Sequence, residues 1–310
     1  MGKYILRRLL ALIPTLLIIT FMVQLFLIIT PGDPAELMSD NDATEEEIEA
    51  LRESMGLNDP LMVRYFNYLK GLFKGDFGKS FRTKNPVKDD ILRRFPYTLI
   101  LVFVSLVMAI ILGIPTGIFA ATHQNTWKDS LSILLALFFV SMPSFWFALL
   151  LIQGLCVKLH LLPVSGIANW KGWILPCLTT ALAYAASITR QMRSNMLEVI
   201  RQDYITTARA KGQTERKVIY KHALKNAIIP IIMTVGSVFG RALGGSMVTE
   251  TIFGIPGIGT YTMTALTQRD YPVIQTNVLF LSVIYCLMLL LTDVAFAIVD
   301  PRIRGQYSGK

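Results

Sequence analysis

An all-α integral membrane fold is the class this sequence predicts, on three observations. Hydrophobic residues make up 53% of the 310 and charged residues 16%, where soluble domains carry about 25% charged residues. Six mostly apolar stretches each reach the ~20 residues that cross a hydrocarbon core as a helix. The lysines and arginines behind the formal net charge of +9 gather between those stretches or at their ends, and Arg241 alone lies deep within one. The basic excess therefore reads as a membrane-surface property, and no nucleic acid partner is needed to explain it.

The spans are expected at about 9–30, 97–121, 131–157, 174–192, 227–248 and 274–299. The first follows Lys3, Arg7 and Arg8. It exceeds the ~7–15-residue apolar core of a signal peptide and lacks a small-residue cleavage site before "TPGDP", so it is read as a retained span. Orientation follows from the short loops. With the N-terminus inside, the interior segments hold nine basic residues between 190 and 226, Lys128, and three at each end of the chain. The short outer loops hold Lys158, Lys171 and Arg269. Both termini and the 193–226 region are thus expected in the cytoplasm, and the 31–96 insertion outside.

That insertion has helical content of its own. Thr44 precedes an acidic first turn, and Ile48, Leu51 and Met55 recur at helical spacing until Gly56 stops the run. A second amphipathic stretch carries Val63, Phe66, Leu69 and Phe73. The two predict a small helical cap on the outer surface, either a resting place for an external partner or plain loop packing.

Chemistry-bearing residues are sparse. Cys156, Cys177 and Cys286 lie singly within apolar runs, and His123, His160 and His222 are scattered, so neither a disulfide framework nor a metal site is expected. "GDFGKS" at 75–80 resembles a phosphate-binding loop, but Phe73 stands where the Walker pattern needs glycine. No nucleophile, base and orienter assemble, so an enzyme is not expected. A secondary transporter would show paired broken helices, and the sequence suggests one interruption only, at Pro143.

The fifth span holds "GSVFGRALGG", in which Gly236, Gly240 and Gly244 share one helix face and would let a neighbouring helix approach closely. Arg241 falls about 14 residues into that span, roughly 21 Å at 1.5 Å per residue. It reads either as a lining residue of a translocation path that meets carboxylates or as a snorkelling or salt-bridged structural arginine. Asp293 reads as an interhelical hydrogen-bond acceptor.

Between the fourth and fifth spans, "DYITTARAKGQTERKVIYKHALKNAIIP" is dense in basic residues. Leu197, Ile200, Tyr204 and Ala208 step at helical spacing, Lys211 and Gly212 make a helix end, and Thr214 with Glu215 opens a second helix through Val218, Ile219 and His222. A DNA-binding helix-turn-helix fits poorly, since spans tether both ends. A lipid-facing basic surface and a docking element for a cytoplasmic motor remain open on physical grounds.

The order of residues in this stretch resembles the coupling signature of permease subunits of bacterial ABC importers, in the dipeptide/oligopeptide/nickel family. The general signature is E-A-A, three residues, Gly, nine residues, Ile, one residue, Leu-Pro. Ala208, Gly212 and Leu224 match it, whereas Thr206, Thr207, His222 and Lys225 depart from it. "TARAKG" and "HAL.NA..P" match the peptide branch, as do "ILRRLLALIPT", "PGDP", "GDFGKSF", "TETIFGIPGIG", "RDYPVIQ" and "DPRIR". The resemblance implies a type I importer transmembrane domain, and as partners a second permease, two cytoplasmic ATPases and an extracytoplasmic substrate-binding protein. It implies no cofactor in this chain, with ATP and Mg in the ATPase subunits, and a location in the bacterial inner membrane. It implies ATPase coupling by Asp203, Tyr204, Thr207, Ala208, Arg209, Ala210, Lys211, Gly212, His222 and Leu224. It further implies a loop facing the binding protein that includes Glu250, Phe253, Gly254, Pro256, Gly257 and Gly259, glycines and proline suiting a projection better than a helix. The implied ligand is a short peptide, with nickel, a metal-chelate or an opine-like ligand as alternatives.

Overall fold

The computed structural model describes residues 2–39 and 43–299. The C-terminal "DPRIR" motif and the basic residues of the tail lie outside the described residues. Among those described, regular structure is helical apart from one isolated bridge between Lys79 and Pro86. In chain order the helices are α1 (Gly2–Ile29), α2 (Pro34–Met38), α3 (Glu45–Ser54), α4 (Leu61–Phe73) and α5 (Val87–Thr122). Then come α6 (Trp127–Ser141), α7 (Ser144–Leu151), a π-helical stretch Ile152–Lys158, α8 (Lys171–Ile200) and α9 (Asp203–Ala210). The remainder is α10 (Glu215–Lys217), a second π-helical stretch Val218–Ala223, α11 (Leu224–Ala227), α12 (Ile229–Gly245), α13 (Met247–Phe253), α14 (Ile258–Gln268) and α15 (Tyr271–Val299).

Among the described residues, four helices are long and apolar enough to cross a membrane unaided: α1, α5, α8 and α15. The other two expected spans are bent pairs. The third breaks by 100° between Ser141 and Ser144, because Met142 takes an extended ψ of 125° ahead of Pro143, the conformation a following proline imposes. The fifth bends by 52° between Ala227 and Ile229. Pro230 has no N–H to give to that turn, and Ile231 N–H reaches only to the Ile228 carbonyl, at 3.0 Å. Two boundaries also move: α5 starts ten residues before the expected span, and α8 runs eight residues past it.

The chain divides into two compact units. One comprises residues 99–255 and the described chain from 287 onwards. Its apolar core joins Ala109, Ile118, Ile188, Met192 and Met196 to Ile205, Val218, Ala223 and Ile231. Glycines allow the close approach: a Cβ at Gly117 would stand 2.6 Å from the Met192 Cβ, and one at Gly113 would stand 2.8 Å from the Ala185 carbonyl oxygen. Of the expected glycine face on α12, Gly236 seats Thr292 of α15, where a Cβ would meet Oγ1 at 1.9 Å. Gly240 is buried, but Gly244 opens onto empty space.

The other unit comprises residues 2–98 and 256–286, with Val87, Ile91, Ile258, Tyr271 and Val273 at its core. The "GDFGKSF" and "RDYPVIQ" motifs meet here. The buried Asp270 carboxylate accepts hydrogen bonds from Ser80 Oγ and, at 3.0 Å, from Phe81 N–H. Thr276 Oγ1 donates to the Phe77 carbonyl at 2.9 Å. The glycines of the apparent phosphate loop serve backbone geometry, with φ of +75° at Gly75 and +78° at Gly78. Thr44 closes a capping box with Glu47 on α3, and Gly56 takes φ +66° just after it, as the sequence predicts. On α4 the expected apolar stretch divides, with Leu69 half-buried. Tyr65 is buried, while Val63, Phe66 and Phe73 are exposed.

Candidate coupling surface

The region 203–227 forms two short helical arms about a tight turn. Gly212 makes the turn with φ +73° and no heavy atom within 4 Å of where its Cβ would stand, a backbone state that costs other residues about 1–2 kcal/mol. Glycine is required there by conformation and not by crowding. Across the turn the Arg209 guanidinium grips the Glu215 carboxylate with two bonds, Nε donating at 3.1 Å and an Nη at 2.6 Å. That contact, mainly through its hydrogen bonds, holds the Glu215 carboxyl below its ordinary range and raises the Arg209 guanidinium above its own.

Each arm is amphipathic in the ordinary sense. Ile205 and Ala208 of α9, and Val218, Ile219 and Ala223 of the π-helical stretch, are buried against α5 and α8 residues. Asp203, Tyr204, Thr207, Arg209, Ala210, Lys211 and Gly212 form the exposed side. His222 and Leu224 are half-buried on the second arm. The second arm is not the plain α-helix the sequence predicts. Its π-helical turn widens the helix, a feature that recurs at functional sites. Tyr204 also links the arms, its hydroxyl accepting from Asn226 Nδ2 at 2.7 Å.

Two anchors on α8 were not read from the sequence. Asn195 Nδ2 donates at 3.1 Å to the Ala227 carbonyl, a buried group whose helical donor, Ile231 N–H, has turned to Ile228. Arg193 holds Asp129, at the start of α6, with two bonds of 2.6 Å. Their partners lie 32 and 64 residues away, so no local pattern announces them. Gly113 and Gly117 did carry a signal, since their four-residue spacing in an apolar run is a close-packing motif.

The remaining expected site residues separate. Arg241 on α12 is exposed, makes no ion pair among the described residues, and lies within electrostatic reach of Tyr184 on α8. The salt-bridged reading within this chain therefore has no partner among the described residues. The expected projection at 249–259 is largely folded inward. Glu250 and Phe253 are buried on α13, where Ser246 Oγ donates to Glu250 Oε1 at 2.9 Å. Gly257 and Gly259 are also buried, and Gly259 belongs to α14. Gly254, with φ +65°, and Pro256 are exposed. The glycines end one helix and begin another instead of building a loop between them.

What these features define is a helical membrane subunit with an exposed, largely polar surface on the 203–212 arm. No group of three or more potential metal ligands occurs among the described residues. Residues 113–305 match the model of the binding-protein-dependent transport system inner membrane component, and residues 1–102 match the N-terminal membrane component of the same systems. The chain belongs to this family. It is 42% identical to the glutathione transport system permease protein GsiC of Escherichia coli strain K12 over 98% of this chain and 99% of the relative, and identical figures hold for GsiC of Shigella dysenteriae. In fold it is similar to an inward-facing structure of the MetNI methionine ABC transporter, with TM-score 0.60 and 18% identity over 69% of this chain and 98% of that one. The protein is therefore a multi-pass inner-membrane permease subunit of a binding-protein-dependent ABC importer, not itself catalytic, and ATP is hydrolysed by separate ATPase subunits.

Proposed function

We propose that this permease forms half of the translocation path for short peptides of the glutathione class, as one of two permeases fed by an extracytoplasmic binding protein. In this reading each bent pair counts as one span, giving six, with both termini in the cytoplasm. The exposed side of α9, from Asp203 to Lys211, seats in a cleft of one ATPase, and closure of the ATPase pair rocks α8 and α12 through the packed side of the same arms. Arg241 presents its guanidinium to the path and meets a peptide carboxylate.

The observation that carries the substrate class is the similarity to glutathione permeases over nearly the full length of both chains. The test is uptake by the reconstituted importer, comparing radiolabelled glutathione and dipeptides with nickel. Peptide accumulation that needs ATP is expected, and Arg241→Ala should lower it while the complex still assembles. Nickel accumulation without peptide uptake would overturn the substrate class. Loss of assembly in Arg241→Ala would return that residue to a structural role.

A further inference from the structure

Helix α4 carries apolar residues on two sides: Tyr65 is buried and Leu61, Leu69 and Leu72 are half-buried, while a second apolar stripe faces outward. Met62 is 54% exposed, Phe66 66% and Phe73 89%, and on a helix these three positions fall within one narrow stripe. Lys70 and Lys74, both exposed, accompany it. The inward side carries Leu61, Arg64, Tyr65, Tyr68 and Leu72, buried or half-buried. Arg64 lines a cavity of about 370 Å³ with Gln24, Asn67, Tyr271 and Gln275, in which Gln275 Nε2 donates to Gln24 Oε1. A helix docked in water turns its apolar stripe to the protein. A second apolar stripe turned outward is what an apolar surrounding would select.

A second observation sets the depth. The Tyr65 hydroxyl donates to the Leu17 carbonyl at 2.8 Å, and its ring meets Phe21 edge-on at 5.3 Å. Both partners lie within the 22-residue apolar span Arg8–Ile29 of α1. Leu17 is twelve residues before Ile29, about 18 Å along the helix, and Phe21 eight residues before it, about 12 Å. Even allowing for the length of a tyrosine side chain, α4 lies beside hydrocarbon and not above it. The outward surface of α1 here, including Leu17, Ile18 and Phe26, is itself exposed and apolar, so the stripe on α4 continues a lipid-facing surface.

We propose that α4 is a half-inserted helix of the outer leaflet: Met62, Phe66 and Phe73 contact acyl chains, and Lys70 and Lys74 reach out to the phosphates. Apolar burial with cationic side chains at the headgroup level is the interfacial mode of membrane attachment. The 31–96 insertion then has two parts, a water-exposed acidic α3 and a lipid-bound α4 that screens the polar cavity around Arg64 from the bilayer. The word outer rests on the orientation proposed above.

The test attaches a nitroxide in the assembled importer in lipid nanodiscs, with Met62→Cys, Phe66→Cys and Phe73→Cys examined one at a time. Ile18→Cys on α1 is the lipid reference and Glu46→Cys on α3 the water reference; the buried native cysteines set the labelling background. Oxygen collision rates within about twofold of Ile18→Cys, with a water-soluble nickel chelate nearly excluded, are expected at all three positions. Chelate access matching that of Glu46→Cys would overturn the proposal. So would an immobilised label shielded from both reagents, which would mean a protein partner covers the stripe. Failure of a membrane-impermeant thiol reagent to reach Glu46→Cys from outside intact cells would overturn the orientation, and the leaflet assignment with it.

Discussion

The two arms at 203–227 and the helix α4 carry the same kind of sequence signal and resolve it differently, since α4 keeps a second apolar stripe exposed. In the arms, Ile205, Val218 and Ala223 are buried while Asp203, Arg209 and Lys211 are exposed. In α4, Tyr65 is buried while Phe66 and Phe73 are exposed. Periodicity records that a helix has two faces, and the surrounding medium decides which of them turns inward. In a chain that lives in both media, an amphipathic stripe has to be read together with the depth of its anchor. For α4 that anchor is Tyr65 on Leu17, 48 residues away in sequence.

The widest contrast between the regions should come from placing a polar side chain at an apolar position in each. Ile205→Asp places an unpaired carboxylate where the side chain is fully buried. Such changes belong to the exceptional class of destabilisation, above about 4 kcal/mol. The expected outcome is loss of ATPase co-purification and a collapsed melting temperature for the detergent-solubilised complex. Phe66→Ser, at a position 66% exposed, should change stability by no more than the ~0.5 kcal/mol of surface substitutions and leave the melting temperature nearly unchanged. Equal losses at the two positions would mean that the outward facing of α4 is wrong.

Much of the coupling region was legible because its determinants are local. Gly212 and Thr214 mark a turn and a helix start within a few residues, and the capping box of Thr44 and Glu47 is equally compact. The resemblance to the family signature then supplied the proposal that the exposed face docks an ATPase. Less was legible where pairing is distant. Nothing near Asp270 says that it will hold Ser80 and Phe81, almost 190 residues away, or that Asn195 will satisfy a carbonyl released at the Pro230 bend. The inward turn of Glu250 escaped for another reason. The glycine-rich run after it suggested a projecting loop, but Gly254 and Gly257 flank two helices, so the residues before them remain helical and packed.

Gly212→Val addresses the turn itself. The space around the glycine is open, so the cost is backbone strain of about 1–2 kcal/mol, with no clash to spread into α8. Insertion and melting temperature should change little, whereas substrate-stimulated ATPase activity and co-purification of the ATPase subunits should both fall. Because the strain can be relieved by distorting the arm, the docking face loses its shape before the fold loses its stability. Unchanged coupling in this variant would show that the 203–212 surface is not where the ATPase seats, and would leave its basic residues to lipid headgroups.

The smallest effect is expected from Glu215→Gln. Both members of the Arg209–Glu215 pair are well exposed, with side-chain accessibilities of 39% and 60%, and exposed pairs contribute below about 1 kcal/mol. The sign with pH follows from the lowered Glu215 carboxyl: its contribution is complete above the ordinary carboxylate range and is lost as pH falls through the lowered value. At neutral pH the substitution should therefore slow ATPase coupling slightly, and 0.5 M salt should shrink the difference from the unsubstituted protein, since screening at that strength weakens exposed pairs. A large, salt-independent defect would instead place Glu215 in direct contact with the ATPase. In that case the latch across Gly212 would be part of the docking surface and not merely its brace.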